Sequence, residues 1–257
     1  MTLRITWDEA NARRLERQFL SVPARAGTPV AEVVGSMLGA HAQVLSAAEV
    51  SVGVRAEGVT RADVRAALRE ERSLVKTYGP RGTLHLLPAT GLSFWTAALT
   101  AIPTGPSPFA QDARMTAAQA DAGVIEEVDF VGGPAWVAAG DTDFPGEPAR
   151  GVRLLPYFDA YGIGCRPREL LFPGAAHERA LAGGQAGNHP VLLVDGVVSG
   201  VWHQRRSGRR TTVTVEPLVR LTAAQEGELA RQAERVGEIL EATPELVVGK
   251  VTSGPHA

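Results

Sequence analysis

The hydrophobic pattern of this 257-residue chain changes near its middle, and that change constrains the fold more than any other feature. Up to about residue 100, apolar residues recur at the spacing of amphipathic helices. From residue 125 onward, short alternating runs of apolar and polar residues indicate β-strands. The sequence therefore predicts an α+β chain with a helical part (1–101), a connecting region (102–124) and a β-rich part (125–257).

The helical part begins at Thr6, a predicted N-cap with Glu9 at capping-box spacing. Turn residues Gly79-Pro80-Arg81-Gly82 precede a predicted strand over residues 83–87. Further helices are predicted over residues 30–38, 47–54, 61–72 and 91–99. In the last of these, Phe94 and Trp95 are expected to pack inward. Short helices followed by a small β-element predict a winged-helix domain.

The β-rich part contains the clearest local signal, Asp195-Gly196 between two apolar runs, which is typical of a tight hairpin. A short helix is predicted over residues 116–123, and an amphipathic helix over 222–240 ends the pattern. The strands are predicted over residues 125–130, 136–139, 152–155, 191–194, 197–206 and 212–215. Together these elements predict a small, mainly antiparallel sheet or barrel with one C-terminal helix.

Composition indicates the cellular compartment of the protein. The single cysteine, Cys165, excludes an internal disulfide and indicates a reducing cytoplasm. We expect no membrane span and no signal peptide, because the chain has no apolar run of sufficient length and its N-terminus has no apolar core.

The basic residues leave two interpretations open. The net charge of -2 gives no global attraction to nucleic acid. Lys76 and Lys250 are the only lysines, and this arginine bias suits phosphate contact but also follows from a GC-rich genome. The arginines of the predicted helix over residues 61–72 also allow two interpretations. Its arginines share one face, which either contacts phosphate or pairs with Glu70 and Glu71 in solvent.

The triplet His41-Ala42-Gln43 is the strongest candidate site. It lies between two predicted short helices, where Gly39 and other small residues weaken helix formation. If His41 and Gln43 point the same way, they form a neutral hydrogen-bonding pair with no evident structural role. His85 is either a further site residue or a histidine of the core or of a strand edge.

Other chemistries have little support in the sequence. The six histidines show no paired ligand spacing, so no metal site is predicted. There is no glycine-rich phosphate loop and no serine nucleophile elbow, and we expect no cofactor. No lysine lies near the triplet, so a Schiff-base lyase step is not expected.

Five segments, taken in order, resemble the AlkZ-like winged-helix DNA glycosylases, the family that includes YcaQ. They are LERQFLSVPA, MLGAHAQVLSAAEVSVGVR, SLVKTYGPRGTLHLLPA, LLPYFDAYGIGCRPRELLFPG and PVLLVDGVVSGVWHQRRSGRR. The resemblance covers most of residues 1–100 and 150–257. It implies tandem winged helices with a β-barrel around DNA, and excision of bulky alkylated purines, including crosslinked bases and toxin adducts.

The resemblance also implies roles for individual residues. His41 and Gln43 take the two polar places of a Gln-apolar-Gln triplet that positions water, so His41 is a departure that either preserves or relaxes activity. Asp159 lies in a segment the family brings near the lesion, or else it caps a turn, and His203 is a further active-site candidate. Candidates for phosphate contact are Arg81, Arg166, Arg168, Arg205 and Arg206, although strand alternation would place only one of the last two on the DNA.

A second departure is the short middle region. Between Arg114 and Ile125 the family normally carries roughly another hundred residues of winged helix, which puts encirclement of DNA in doubt. Either the protein is a natural miniature or the sequence has a deletion. We expect a monomeric, monofunctional glycosylase acting on alkylated double-stranded DNA, cytoplasmic and associated with the nucleoid. The alternative is a non-catalytic winged-helix protein that binds DNA, for example as a regulator.

Overall fold

The computed structural model describes residues 2–100, 123, 125–181 and 183–252. Within these ranges the chain is a mixture of helices and three β-sheets, which confirms the predicted α+β class. The helices are α1 (Trp7–Arg17), α2 (Val30–Ser36), α3 (Leu45–Gly53), α4 (Arg61–Arg69), α5 (Leu92–Thr100), α6 (Ala160–Ile163), α7 (Arg168–Leu171), α8 (Ala175–Ala180) and α9 (Ala223–Ile239). The strands are β1 (Arg4–Ile5), β2 (Ala40–His41), β3 (Leu74–Tyr78), β4 (Leu84–Pro88), β5 (Ile125–Phe130), β6 (Gly133–Ala138), β7 (Val152–Leu155), β8 (Val191–Val194), β9 (Val197–Ser207), β10 (Arg210–Pro217) and β11 (Thr243–Val248).

Capping side chains set the start of the long helices, and the sequence predicts the first of these caps, at Thr6. Thr6 and Glu9 form a reciprocal capping box at the start of α1, and Thr222 forms one with Gln225 at the start of α9. Each box satisfies two backbone N–H groups that a helix end otherwise leaves unbonded.

The largest sheet has the order β11-β10-β9-β8-β7. Asp195 and Gly196 both have positive φ in the turn from β8 to β9, which confirms the predicted hairpin. Three features of this part were not predicted. Strand β11 pairs with β10 in parallel, the short helices α6 to α8 precede β8, and β5 and β6 join β1 in a separate sheet.

Two apolar clusters fill the interior, and α3 contributes to both. Val50 and Val54 pack with the five-stranded sheet and α9, whereas Ala48 and Val52 pack with α2, α4 and the sheet β2-β4-β3. The approach of α3 to α9 is close, because a Cβ on Gly53 would lie 2.5 Å from Ile239 Cγ1. The helical and β-rich parts therefore share a continuous interior.

Some sequence predictions need correction or lie outside the described residues. Phe94 does not pack inward but is 70% exposed, since α5 carries apolar residues around most of its surface and has no buried residue. The predicted helix over 61–72 ends at Arg69. The predicted domain boundary near residue 101, the proline-rich residues 102–108 on which it rests and almost all of the predicted helix over 116–123 lie outside the described residues.

No helix among the described residues has both the length and the apolar character needed to cross a bilayer.

Candidate active site

A cleft of about 640 Å³ lies between α1, the end of α2, the β2-β4-β3 sheet, α5 and the segment around α6. His41 and Gln43 both line it, whereas Ala42 between them is fully buried in the second apolar cluster. Extended backbone gives this arrangement, because alternate side chains of a strand point to opposite faces. Ala42 thus packs in the core, and its two polar neighbours face the cleft.

The position of His41 is fixed by strand pairing. His41 lies opposite His85 in the antiparallel ladder of β2 and β4, and the backbone N–H of Ala42 donates to Leu84 O at 2.7 Å. His41 is buried, with 9% of the residue exposed. Its ring meets the Phe158 ring at a centroid distance of 4.5 Å and the His85 ring edge-on at 5.3 Å. Gln43, one residue beyond the ladder, is exposed.

His85 belongs to the same wall of the cleft. Its Nδ1 lies 2.8 Å from Thr83 O, and because a carbonyl oxygen only accepts, Nδ1 carries the hydrogen. Gly79 allows the turn before β4 to approach this ring, since a Cβ there would lie 2.9 Å from His85 Cγ. His85 is 8% exposed in β4, the central strand of its sheet, and it also lies on the cleft wall. It is therefore both a core histidine and a residue of the candidate site, and it does not lie at a strand edge.

The remaining walls combine apolar surface with a few polar groups. Arg14 lines the cleft, donates to Tyr161 O at 2.6 Å and to Cys165 Sγ at 3.0 Å, and stacks on the Tyr161 ring. Burial raises the pKa of the Cys165 thiol despite this guanidinium. Sequence reasoning did not identify several lining residues: Arg14, Gln18, Trp95, Leu99, Phe158, Gln185 and Asn188. Of these, Gln18 and Phe158 lay in segments singled out by the resemblance, LERQFLSVPA and LLPYFDAYGIGCRPRELLFPG.

Asp159 is buried and fully engaged within the protein. Its carboxylate accepts two hydrogen bonds from Arg55, at 2.8 and 2.7 Å, and one from the Ser51 hydroxyl. It also accepts the Tyr161 N–H at 3.0 Å as the N-cap of α6. These contacts favour the capping interpretation. Asp159 follows Phe158 directly, so this network holds the ring that packs against His41.

His203 lies on β9, outside the residues that line the cleft. Its Nδ1 is 3.5 Å from the Tyr157 hydroxyl, and burial, aided by Arg205, lowers the pKa of the imidazole. The neighbouring arginines differ from each other. Both are exposed, but Arg206 donates to Gly208 O and to Leu240 O at the end of α9.

The other arginine candidates lie in separate places. Arg166 is exposed and Arg168 half-buried at the start of α7, and both border an open groove beside Phe130. The side chain of Arg81 lies outside the described residues. On α4, Arg61 binds Glu241 and Arg65 binds Glu49, so these two guanidiniums pair with carboxylates other than the neighbours expected.

The arrangement provides an imidazole and a carboxamide beside an apolar surface. Both groups can hold and orient a water molecule, and the imidazole can accept a proton near neutral pH. Among the described residues, no three His, Cys, Asp or Glu side chains come together as a metal-binding group.

Comparison with known proteins identifies the kind of protein to which this fold belongs. The structure of the Streptomyces sahachiroi DNA glycosylase AlkZ has the same fold, with a TM-score of 0.68 and 20% sequence identity. The alignment covers 96% of this chain and 100% of that one. The fold is thus one that a DNA glycosylase adopts.

The family model described as "DNA glycosylase AlkZ-like" matches residues 34–124 and 104–239, which is more than half of the chain. The protein belongs to the AlkZ-like family, and the resemblance predicted from its five segments is confirmed. An interstrand DNA cross-link repair glycosylase of Streptomyces sahachiroi is 39% identical over 85 residues. That match spans 33% of this chain and 22% of the relative.

Proposed function

We propose that this protein is a monofunctional DNA glycosylase that hydrolyses the N-glycosidic bond of bulky alkylated purines. The adducted positions are N7 or N3 of the base, and the substrates include toxin adducts or interstrand crosslinks. Membership of the AlkZ-like family supports the class of reaction. The name of the relative, a cross-link repair glycosylase, supports the class of lesion.

The observation that carries the proposal is that His41 and Gln43 line one cleft while Ala42 is buried behind them. An oriented pair of neutral polar groups is suited to this reaction. Alkylation already makes the purine a good leaving group, so the enzyme needs to place water and stabilise positive charge on the sugar rather than supply a strong acid.

In the proposed reaction, the bond from the anomeric carbon to the base nitrogen breaks, and the electron pair leaves with the base. The sugar becomes oxocarbenium-like, and a water oxygen held by His41 and Gln43 bonds to the anomeric carbon. The His41 imidazole accepts the proton that this water loses. The products are a free base and an abasic site in an intact strand.

The proposed function includes a division of the chain into domains. We propose that residues 1–101 form a winged-helix domain, that 102–124 is a shortened middle region and that 125–257 forms the β-rich domain. The helices α2, α3 and α4 and the β3–β4 hairpin support the first of these assignments. The relative is about 1.5 times as long as this chain, because the same 85 residues are 33% of one and 22% of the other. A shorter middle region agrees with that difference.

Among the arginine candidates, exposure favours Arg166 over the half-buried Arg168 as a phosphate contact. Arg205 and Arg206 are both exposed, and we favour Arg205 because the side chain of Arg206 already donates hydrogen bonds within the protein. Arg81 and Arg168 remain proposals from the resemblance. We propose that the protein acts as a monomer on double-stranded DNA of the nucleoid, in the cytoplasm, without a cofactor.

The test is base release from a duplex carrying an N7-alkylguanine, with alkali used to cleave any abasic sites. We expect His41→Ala and Gln43→Ala each to lower the excision rate by about 10²- to 10⁴-fold while the affinity for DNA is retained. Matched controls are His177→Ala and Gln232→Ala, which change the same residue types outside the cleft. An uncatalysed sample corrects for spontaneous loss of the base.

Two results would contradict the proposal. Strand cleavage without alkali would indicate a lyase rather than a monofunctional enzyme. Tight binding to alkylated and unmodified duplexes, with no base released from any adduct, would favour the non-catalytic DNA-binding protein.

A further inference from the structure

Leu38 is an apolar side chain displayed at the cleft that contains His41 and Gln43. It lines the cleft and is 67% exposed. Its backbone has φ of +57°, directly after α2, in a turn closed by Leu38 N–H to Gly35 O and Gly39 N–H to Val34 O, both at 3.0 Å. A helix that ends in this way usually places glycine or asparagine at the left-handed position.

A leucine at this position is unfavourable for the fold in two ways. Left-handed backbone costs a residue with a Cβ roughly 1–2 kcal/mol, and two thirds of the side chain stays in contact with water instead of the core. Glycine or asparagine would complete the same turn without either cost. Departures of this kind from local preference concentrate at functional sites.

The backbone beside Leu38 is rigidly supported. Gly39 has φ of +103°, and a Cβ on it would lie 2.6 Å from Leu87 Cδ2 and 3.3 Å from Leu86 O. The turn is therefore pressed against β4, whose register also fixes His41. Three peptide units separate Leu38 from His41, so their Cα atoms lie within about 11 Å, or about three base-pair steps of a duplex.

We propose that Leu38 is a wedge that enters the base stack of duplex DNA beside the nucleotide engaged by His41 and Gln43. Exposed bases at an opened step supply the apolar surface that this leucine lacks, and proteins that distort duplexes use apolar side chains in this way. The inference rests on the proposed function for its location, because the cleft is taken as the place where the damaged nucleotide binds.

Val131 provides a matched control. It also has left-handed backbone, with φ of +55°, and is 60% exposed in the turn between β5 and β6. It is not among the residues that line the cleft. Any effect that comes from relieving backbone strain or removing an exposed apolar residue will appear in Val131→Asn as well as in Leu38→Asn.

The first readout does not depend on catalysis. The His41→Ala/Gln43→Ala variant is bound to a duplex in which the fluorescent base 2-aminopurine adjoins an N7-alkylguanine. Unstacking of the probe raises its fluorescence, and we expect that rise to be lost when Leu38→Asn is added and kept when Val131→Asn is added. Equal fluorescence with and without Leu38 would overturn the proposal.

The second readout uses the active enzyme. Leu38→Asn should lower excision from a duplex about tenfold and leave excision from a single strand nearly unchanged, since a single strand needs no wedge. The melting temperatures of Leu38→Asn and Leu38→Gly should equal or exceed that of the wild type. A large fall in both would mean that Leu38 supports the fold, and would also overturn the proposal.

The two proposals fail differently. If no base is released but the fluorescence rise still depends on Leu38, the wedge stands and the glycosylase activity is wrong. If Leu38→Asn releases bases from the duplex and from the single strand at the wild-type rates, and the fluorescence is also unchanged, the glycosylase stands and the wedge is wrong.

Discussion

The buried pair of Arg55 and Asp159 gives the most quantitative prediction for this fold. Their side chains are 0% and 3% exposed, and two hydrogen bonds join them. Replacing Asp159 with asparagine keeps the shape and an oxygen to accept the Tyr161 N–H, so the helix cap survives. What is lost is the negative charge and one of the two oxygens that accept from Arg55, which leaves the guanidinium buried without a counter-charge.

Removing one partner of a buried ion pair costs about 3–5 kcal/mol, because the remaining charge keeps its desolvation penalty. We expect Asp159→Asn to lower the free energy of unfolding by this amount. For a chain of this size the same change corresponds to a fall in Tm of about 6–20 °C. Phe158, which adjoins Asp159 and packs on His41, should lose its fixed position, so the excision rate should fall as well.

The measurement is urea denaturation followed by circular dichroism, with Arg61→Ala as the control. Arg61 binds Glu241 in a pair whose side chains are 23% and 45% exposed, and such pairs contribute about 0–1 kcal/mol. The reasoning would be refuted if Asp159→Asn cost less than about 1 kcal/mol, or no more than the Arg61 variant.

Two further predictions concern a close backbone contact and a histidine. Gly39→Ala should lower the free energy of unfolding by about 2 kcal/mol or more, because a strained φ and the contact with Leu87 act together. Gly58 also has positive φ but faces open space, so Gly58→Ala should lower it by only about 1 kcal/mol in the same denaturation assay. For His203, burial lowers the pKa below its usual 6.5, so folding favours the neutral ring. Stability should fall as the pH drops below about 6.5 towards the lowered pKa, and His203→Gln should reduce that slope in denaturation curves at several pH values.

Much of the fold was predictable because its signals are local. Capping residues Thr6 and Thr222 mark where long helices begin, and Asp195-Gly196 marks a hairpin turn. Each of these depends on neighbours within a few residues, so the sequence contains the whole signal. The family could also be identified from the sequence, because five short segments resemble segments of the AlkZ-like family and follow in the same order.

The rest depends on contacts between distant residues. Strand β1 is only two residues long and pairs with Asp129 and Phe130, which no local pattern can indicate. The same is true of Arg14 and Asn188, which meet at one cleft from distant parts of the chain. Arg55 illustrates the limit most clearly, since an arginine that is 0% exposed is identifiable only once its partner Asp159 is known.

The alignment of β2 against β4 has a consequence for how this site can evolve. Pairing of His41 with His85 determines which side chains face the cleft, and a shift by one residue would exchange the two faces of the strand. Ala42 would then enter the cleft, and the two polar groups would be forced into the interior. A substitution at position 41 or 43 therefore changes the chemistry of the cleft without changing which residues face it, whereas a one-residue insertion or deletion between Gly39 and Gln43 would destroy the site in a single step.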